Sequence, residues 1–585
     1  MEVDIAAEGR VPAAADEAGR VSVAEQIARA LRRHGVEFVI GQSIPSAVTL
    51  AATRIGIRQI LCRIEKNGAI MGDGYARITR KVAVVTSCGG PGTLLLAAGL
   101  GEALTASVPV VALIQDVPRA HRDRNAAQEL DDLAALRPVT KAAWRVDRAD
   151  RVLDYIDRAF IVAGGGRPGP VALLLAPEMM SEPAVEPSFS RRQVYGTFPL
   201  DRVVADATRI AAAADEIAAA RHPIVIAGGG VHLSDATAEL AALVEVAALP
   251  TGTTTMGKGA LDESHPLALG PLTYAIGNRS SGKHLRPMLE ESDVVVLVGT
   301  RTNQNGTDSW KLYPRNARFI HIDIDGAEIG RTFEALRLVG DAKLTLAALT
   351  GALADRDLGR RRAARDRLIA RIAEGRRRHA EEIAPAVRSP KSPIRPERVM
   401  QALDRELTAG IVVGDASYAT TWVTNYLRTG RDRPRIVTPR GLAGIGWGFA
   451  MAIGAKLGAP RERVVYVGGD GAFGYSWSEL ETVVRHGLKG FTAVVLNNNV
   501  LGYQKDAEDV AIGSHTAALH FSAVDHAAIA RACGWNATRV ERPDDVEPAI
   551  RSALAASAPT FVEVMTDPGA YPPIITFDGR LPDAV

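Results

Sequence analysis

The sequence contains few cysteines and has almost no net charge. Only three cysteines, Cys62, Cys88 and Cys533, occur among 585 residues, and none belongs to a CxxC pair. A disulfide framework and a structural zinc site built on such pairs are therefore excluded. The 69 Lys and Arg residues nearly balance the 67 Asp and Glu residues, which leaves a net charge of +2. We expect no general nucleic-acid binding, because neutralising phosphates requires a basic excess.

Long apolar runs are also missing. No stretch reaches the roughly 20 apolar residues that span a bilayer, so we expect no membrane segment. The first 20 residues are rich in alanine and carry mixed charge, without the basic start and apolar run of a signal peptide. The hydrophobic fraction of 47% and the charged fraction of 23% are ordinary for globular proteins. The composition predicts a cytoplasmic protein of several domains.

Short apolar runs alternate with amphipathic stretches in three successive parts of the chain. This alternation is typical of βαβ units, so we predict an α/β fold with three doubly wound parallel-sheet domains. The predicted domains cover residues 21–185, 200–353 and 396–570. A basic helical linker is predicted over 354–395, with one apolar stripe at Leu368, Ile369 and Ile372. We expect its arginines to lie on a solvated face, and the alternative is an interaction site.

The third domain carries the clearest chemical pattern, RVVYVGGDGAFGYSWSELETVVRHGLKGFTAVVLNNN. It predicts a strand, a Gly-Asp-Gly turn, a helix with Leu480, Val483 and Val484 on one face, and a second strand. A βαβ crossover brings the carboxyl ends of its strands together, so Asp470 and the run 497–499 are expected to converge on one cation. Oxygen ligands suit Mg²⁺ or Ca²⁺. The small residues after Asp470 offer backbone N–H groups to an anion, which predicts a diphosphate site.

This constellation resembles the diphosphate-binding signature of thiamine-diphosphate-dependent enzymes. Further stretches match in order, namely RIEKNGAIMGDGYARITRK, TSCGGPGTLLLAAGL, AAQELDDLAALRPVTK, GRPGPVALLL, GKGALDESHPLALG, GDASYATTW and GLAGIGWGFAMAIGAKLG. The resemblance covers residues 21 to 565 and is closest to the acetolactate synthase-like group of 2-oxo acid decarboxylases and carboligases. It implies a pyrimidine-binding domain, a central Rossmann-like domain and a diphosphate-binding domain, in that order.

The resemblance also implies roles for individual residues. Glu65 would exchange a proton with the aminopyrimidine, and Gln128 would face the reacting carbon. Ile445 would be an apolar wedge beneath the cofactor, with the carbonyl of Ala443 and the amide of Ile445 bonded to the pyrimidine. Mg²⁺ would be held by the side chains of Asp470 and Asn498 and the carbonyl of Val500, with Asn497 or Asn499 as alternatives to Asn498. The remaining cofactor-binding residues implied by the matched motifs are Gly90, Thr420, Gly469, Gly471, Ala472 and Phe473.

The departures from the family pattern concern the substrate-facing walls. Ala126 or Ala127 stands where an aromatic residue is usual, APEMM replaces the usual motif after GRPGPV, and Ala507 stands where acetolactate synthases have a tryptophan. These changes predict a donor or acceptor bulkier than pyruvate. The central domain resembles one that holds FAD in some relatives and ADP or coenzyme A in others. Its IAGGGV lacks the GxGxxG fingerprint, so nucleotide binding there stays open.

The resemblance implies a Mg²⁺-dependent lyase or transferase that decarboxylates or cleaves a 2-oxo acid-type donor and transfers the acyl carbanion. One alternative is a 2-hydroxyacyl-CoA lyase or an oxalyl-CoA decarboxylase-like enzyme. The other is a non-catalytic cofactor-binding scaffold or regulatory subunit, which the presence of Glu65 and Asp470 disfavours. In the family, the sheet edges that meet at the cofactor belong to different chains, so we expect a homodimer or homotetramer.

Overall fold

Three parallel β-sheets of six strands each form the framework of residues 21–574, the part of the chain that the computed structural model describes. This part divides into two compact units, one of residues 21–76 and 81–200 and the other of residues 77–80 and 201–574. The first unit holds one sheet and the second holds two. The predicted α/β class with three parallel sheets is confirmed. The signal-peptide prediction concerns residues 1–20 and lies outside the described residues.

The first sheet has its strands in the order β2-β1-β3-β4-β6-β5, all parallel. Its strands are β1 (Phe38–Gly41), β2 (Arg58–Leu61), β3 (Ala83–Cys88), β4 (Val110–Gln115), β5 (Ala142–Val146) and β6 (Val171–Leu175). The α-helices of this unit are α1 (Val23–Arg33), α2 (Ser46–Arg54), α3 (Glu65–Thr79), α4 (Pro91–Ala106), α5 (Asp132–Leu136), α6 (Val152–Gly164) and α7 (Pro177–Ser181), with 3-10 turns at Arg119–His121, Arg137–Val139 and Ala149–Arg151. Because the strand order reverses between β1 and β3, the carboxyl edge there is where an open parallel sheet binds ligands.

The second sheet has the order β12-β11-β10-β7-β8-β9 and is also parallel throughout. Its strands are β7 (Pro223–Ala227), β8 (Thr251–Thr253), β9 (Ala268–Pro271), β10 (Val294–Val298), β11 (Arg318–Asp323) and β12 (Ala335–Val339). Its helices are α8 (Ala207–Ala219), α9 (Gly230–Leu233), α10 (Thr237–Ala247), α11 (Arg286–Glu290) and α12 (Ala342–Ala354), with 3-10 turns at Lys283–Leu285 and Asn305–Thr307. Every residue of the central strand β10, VVVLV, is buried, as expected for a strand covered by helices on both faces.

A helix of 29 residues, α13 (Gly359–Val387), follows the second sheet. Ile372 is buried in the core of that sheet, and Leu368 and Ile369 pack against the same core, so the predicted apolar stripe is present. The prediction that the arginines lie on a solvated face is wrong for Arg361. Its guanidinium is buried and donates hydrogen bonds to the carbonyl groups of Ala247 and Ala248, at the open C-terminal end of α10.

The third sheet has the order β14-β13-β15-β16-β18-β17 and is parallel. Its strands are β13 (Ile411–Gly414), β14 (Arg435–Val437), β15 (Val464–Gly469), β16 (Phe491–Asn497), β17 (Asn536–Val540) and β18 (Thr560–Met565). Its helices are α14 (Pro396–Glu406), α15 (Tyr418–Tyr426), α16 (Gly448–Gly458), α17 (Asp470–Phe473), α18 (Glu479–Arg485), α19 (Gly502–Ile512), α20 (His526–Ala532) and α21 (Val546–Ala555), with 3-10 turns at Ala517–Leu519 and Pro543–Asp545. Within residues 21–574, no helix combines the length and the apolar character needed to cross a membrane.

The crossover between β15 and β16 differs from the single helix that the sequence predicted. Two short helices, α17 and α18, replace it. Leu480 and Val483 are buried, whereas Val484 is 38% exposed, so only two of the three predicted residues form the buried apolar face. Gly487 follows the end of α18 with φ of +61°, a left-handed conformation in which glycine is unstrained.

Candidate active site

Asp470 and Asn498 lie side by side at the carboxyl edge of the third sheet. The neighbouring strands β15 and β16 each end immediately before these residues, with Gly469 in register with Leu496. The backbone N–H of Asn498 donates a 3.4 Å hydrogen bond to Oδ1 of Asp470, and Oδ1 of Asn498 accepts one of 3.2 Å from the N–H of Val500. The convergence predicted from the βαβ pattern is therefore present.

The alternatives to Asn498 point elsewhere. The carboxamide of Asn497 donates a 2.7 Å hydrogen bond to Glu563, and its oxygen accepts one from the N–H of Asn499 at 3.2 Å. Neither Asn497 nor Asn499 lines the cavity described next, whereas Asn498 does. The arrangement favours Asn498 as the carboxamide ligand of a metal ion.

A cavity of about 410 Å³ opens beside Asp470, and we call it the Asp470 cavity. Its volume is within the range of small-molecule sites. The predicted residues that line it are Ala443, Ile445, Gly469, Asp470, Gly471, Ala472, Asn498 and Val500. A Cβ at Gly469 would meet no atom closer than 4.0 Å, so a side chain there would fill space that glycine leaves open.

The carboxylate of Asp470 suits a hard cation. Burial raises its pKa to about 6, and N–H groups of Asn498, Asp470, Gly471 and Asn499 offset this only in part. Within residues 21–574, no basic side chain forms an ion pair with Asp470. Because a buried carboxylate without a cationic partner is costly, a divalent ion held by Asp470, the Asn498 oxygen and the Val500 carbonyl fits the residues present.

The loop of residues 441–447 brings Ile445 into the cavity. Gly446, next to Ile445, donates its N–H to Oδ1 of Asp415 at 3.0 Å, and its carbonyl accepts a 2.7 Å hydrogen bond from the Ser476 hydroxyl. A Cβ at Gly446 would lie 2.7 Å from the carbonyl oxygen of Ala472, and φ of Gly446 is +79°, so glycine is required there. The Ile445 loop is thereby fixed to the turn that follows Asp470.

Two predicted cofactor-binding side chains do not reach the cavity. The Phe473 ring is buried in an aromatic cluster with Phe449 and Phe561, at centroid distances of 5.5 and 5.1 Å. The Thr420 hydroxyl is buried and donates to the carbonyl of Asp415. Both side chains pack behind the cavity wall and do not line the cavity. Only the backbone of Phe473 remains available for the predicted role.

The other three predicted residues belong to the first compact unit. Glu65 is the first residue of α3 and is half-buried, and its Oε1 lies 3.5 Å from the position that a Cβ would take at Gly92. Gly90 precedes α4 with φ of +57°, and a Cβ there would lie 2.3 Å from the carbonyl oxygen of Gln128. The side chain of Asp132 accepts the N–H of Gly90 at 2.9 Å. Gln128 is exposed, with φ of +65°.

Sequence reasoning missed part of the cavity wall. Tyr274, Tyr418, Tyr503 and Arg440 line the Asp470 cavity, and none of them is among the cofactor-binding residues that the matched motifs imply. The neighbouring Lys505 and Glu508 do not line it, and Lys505 pairs with Asp506 at 2.6 Å. Arg440 stands immediately before the GLAGIGWG segment, three residues beyond β14, so its position beside a matched motif was the available signal.

Family models match three parts of this chain. The N-terminal TPP binding domain of the thiamine pyrophosphate enzymes matches residues 21–136, their central domain matches 210–349, and their C-terminal TPP binding domain matches 415–564. Thiamine pyrophosphate is another name for thiamine diphosphate. Asp470, Asn498 and Ile445 fall within the C-terminal match, and Glu65, Gly90 and Gln128 fall within the N-terminal match.

Curated relatives match over nearly the whole chain. A probable acetolactate synthase large subunit of Methanocaldococcus jannaschii is 30% identical, over 96% of this chain and 95% of the relative. That of Methanococcus aeolicus is 31% identical, over 94% and 92%. The acetolactate synthase isozyme 2 large subunit of Escherichia coli K12 is 28% identical, over 93% and 95%. The chain belongs to the acetolactate synthase-like group of the thiamine pyrophosphate enzymes.

Proposed function

We propose that this chain is a Mg²⁺- and thiamine-diphosphate-dependent enzyme that decarboxylates a 2-oxo acid and joins its acyl group to an acceptor carbonyl. The observation that carries the proposal is the Asp470 cavity, where Asp470 and Asn498 line the same space as Ala443 and Ile445. The acetolactate synthases among its relatives support carboligation as the reaction type. Bound thiamine diphosphate would supply a carbanion at its thiazolium carbon that attacks the donor carbonyl.

The residues of the cavity have separate tasks in this proposal. Asp470, Asn498 and the Val500 carbonyl hold Mg²⁺, which neutralises the diphosphate, and the backbone N–H groups of the 471–473 turn donate to the phosphate oxygens. Ile445 would exclude water from this part of the cavity and fix the orientation of the bound cofactor. The backbone of Ala443 and Ile445 binds the polar edge of the pyrimidine.

Glu65 has the task of moving a proton. Its carboxyl would hold and exchange a proton at the ring nitrogen of the pyrimidine of bound thiamine diphosphate. Gln128 is proposed to face the reacting carbon, and Gly90, which lies against the Gln128 carbonyl, is proposed to bind the cofactor. These assignments rest on the family motifs that contain the three residues.

Incubation with single substrates tests the reaction class. The purified protein, loaded with thiamine diphosphate and Mg²⁺, is incubated with pyruvate, with larger 2-oxo acids and with acyl-CoA thioesters, and the products are identified by mass spectrometry. We expect CO₂ and 2-hydroxy-ketone products from 2-oxo acids, and loss of activity with EDTA. Turnover of CoA thioesters alone would favour the 2-hydroxyacyl-CoA lyase or oxalyl-CoA decarboxylase-like alternative. Cofactor binding without any turnover would favour a scaffold.

We also propose that the protein self-associates, as a homodimer or homotetramer in the cytoplasm, with each active site shared between chains. Co-expression of Glu65→Ala with Asp470→Ala tests this arrangement. In a mixed dimer one site receives both changes and the other receives neither, so about half of the wild-type activity should return. Mixed dimers as inactive as either parent would contradict the shared site. Nucleotide binding by the central domain stays an open prediction.

A further inference from the structure

Asp132 is a buried carboxylate to which the proposed function gives no role. It is the first residue of α5, is 1% exposed, and forms no ion pair within residues 21–574. Arg145, whose charge acts on Asp132, is paired with Asp116 at 2.6 Å. Burial raises the pKa of Asp132, and hydrogen bonds to the carboxylate offset this only in part. Because a buried carboxylate without a cationic partner is costly, its presence requires a local reason.

The reason is not the capping of α5. Asp131 precedes this helix and accepts the N–H of Ala134 at 3.1 Å, so the helix N-terminus has its own side-chain cap. Asp132 instead contacts the turn before α4. Its Oδ1 accepts the N–H of Gly90 at 2.9 Å, and its Oδ2 would lie 2.8 Å from a Cβ at Gly89. The carboxylate therefore holds the backbone of residues 89–92, which we call the Gly90 turn.

The Gly90 turn lies between two residues of this unit for which the family motifs predict catalytic roles. On one side, a Cβ at Gly90 would lie 2.3 Å from the carbonyl oxygen of Gln128, and φ of +57° with ψ of −111° favours glycine there. On the other side, a Cβ at Gly92 would lie 3.5 Å from Oε1 of Glu65. The position of Gln128 relative to Glu65 thus depends on how its segment is attached to this turn.

The backbone of Gln128 has to be held in place. Its φ is +65°, a left-handed conformation that is unfavourable for a residue with a long side chain and persists only where the surroundings impose it. Before Gln128, the chain is fixed by the Glu129 carboxylate, which accepts the N–H of Asp123 at 2.5 Å. After Gln128, the chain is fixed by the bond from Asp132 to the Gly90 turn.

We propose that Asp132 is a positioning residue, which ties the segment that carries Gln128 to the Gly90 turn and thereby orients Gln128 toward the reacting carbon. The inference rests on the proposed function, in which Gln128 has that task. Asp132 is too deeply buried to contact a ligand itself. Glu65 is held separately by α3, so removal of the Asp132 carboxylate should displace Gln128 and leave the proton transfer of Glu65 intact.

Kinetics of the holoenzyme at saturating cofactor test this role. Asp132→Ala should lower kcat for the 2-oxo acid about 10- to 100-fold, because a small misplacement of a reacting group is enough for such a loss. The KM, and the exchange of the thiazolium proton of the bound cofactor, should stay near those of the wild type. Asp132→Asn keeps an oxygen that can accept the Gly90 N–H, and it should regain most of the kcat.

Asp131→Ala is the matched control, because it removes the neighbouring carboxylate and the cap of α5 but leaves the bond to Gly90. It should leave kcat unchanged. Wild-type kcat in Asp132→Ala, or equal losses in the two alanine variants, would overturn the proposal. Thiazolium exchange that slows as much as kcat falls would also overturn it, because Glu65 would then be disturbed too. If Asp132→Ala does not fold, Asp132→Ser, whose hydroxyl is one bond shorter, replaces it.

A second measurement separates this inference from the proposed reaction. If the wild type turned over no 2-oxo acid, the proposed function would fail, but hydrogen exchange of a peptide containing Gly90 would still report on Asp132. Followed by mass spectrometry, this exchange should be slow in the wild type and in Asp132→Asn, and fast in Asp132→Ala. Equal exchange in all three proteins would overturn the role of Asp132 whatever reaction the enzyme catalyses.

Discussion

The hydroxyl of Tyr466 donates a 2.8 Å hydrogen bond to Oδ2 of Asp415, deep in the third sheet. The other oxygen of the same carboxylate accepts from the N–H groups of Ala416 and Gly446, at 2.7 and 3.0 Å. Asp415 is fully buried, and its carboxylate connects Tyr466 of β15 to the loop that carries Ile445. The position of the cavity loop depends on a carboxylate that does not line the cavity.

The stability of the cofactor-free protein should depend on pH through Asp415. Burial raises the pKa of this carboxyl to about 6, above its ordinary value of 3.8, so the folded state holds the proton more tightly than the unfolded state. Its contribution to stability is then greatest below about pH 4, falls as pH rises to about 6, and is constant above that. The fall amounts to about 3 kcal/mol.

Asp415→Asn isolates this effect, because asparagine cannot ionise. The difference in unfolding free energy between variant and wild type, measured by urea denaturation, should shift in favour of the variant by about 2 kcal/mol between pH 4 and pH 7. Asp470 titrates in the same range in both proteins and cancels in the difference. Parallel pH profiles would show that Asp415 does not titrate in this window.

Asp470→Ala should weaken thiamine diphosphate binding in Mg²⁺ by about 100-fold or more, because it removes the charged ligand of the metal ion. Isothermal titration with and without Mg²⁺ measures the effect. Asp432→Ala removes an exposed aspartate of the same unit that does not line the cavity, and it should bind as the wild type does. An unchanged affinity for Asp470→Ala in Mg²⁺ would refute the metal site.

Ile445→Ala should lower kcat by about 10- to 100-fold while the cofactor still binds, because a small misplacement of reacting groups is enough for such a loss. Steady-state kinetics and cofactor titration together separate the two effects. Ile445→Leu keeps the apolar volume and should retain most of the activity. If the alanine variant had wild-type kcat, Ile445 would be a packing residue only.

Glu65→Gln should bind the cofactor yet lose activity by about 100-fold or more, the range that general acid–base catalysis provides. Exchange of the thiazolium proton for deuterium, followed by NMR on the bound cofactor, should slow by a similar factor. Glu186→Gln changes an exposed glutamate of the same unit and should leave the exchange unaffected. Fast exchange in Glu65→Gln would remove Glu65 from the proton transfer.

Features that depend on adjacent strand ends were predictable from the sequence. The pairing of Asp470 with the 497–499 run follows from one βαβ unit, because parallel strands end at the same edge. The side-chain directions within that unit were not predictable in the same way. Val484 is 38% exposed although it shares α18 with the buried Leu480 and Val483. The Phe473 ring packs in the core against the rings of Phe449, Tyr466 and Phe561.

Part of the wall of the Asp470 cavity could not be predicted from the sequence. Tyr274, Tyr418, Arg440 and Tyr503 come from four separate connections of the second compact unit, and each alone is unremarkable as a sequence position. Only the folded chain brings them to one cavity. Substrate selectivity in a protein of this kind is therefore harder to predict from sequence than cofactor binding, which depends on contiguous motifs.

Gly446 limits which parts of the Asp470 cavity can be changed by engineering. Its N–H is bonded to Asp415, its carbonyl to Ser476, and a Cβ there would collide with Tyr475 at 2.6 Å. The distance between the loop of residues 441–447 and the turn that follows Asp470 is thus set by a residue that cannot be exchanged without moving both segments. Tyr274, Tyr418 and Tyr503 line the same cavity and belong to neither of these two segments. New substrates should be sought by reshaping the tyrosines, which leaves the spacing for the cofactor intact.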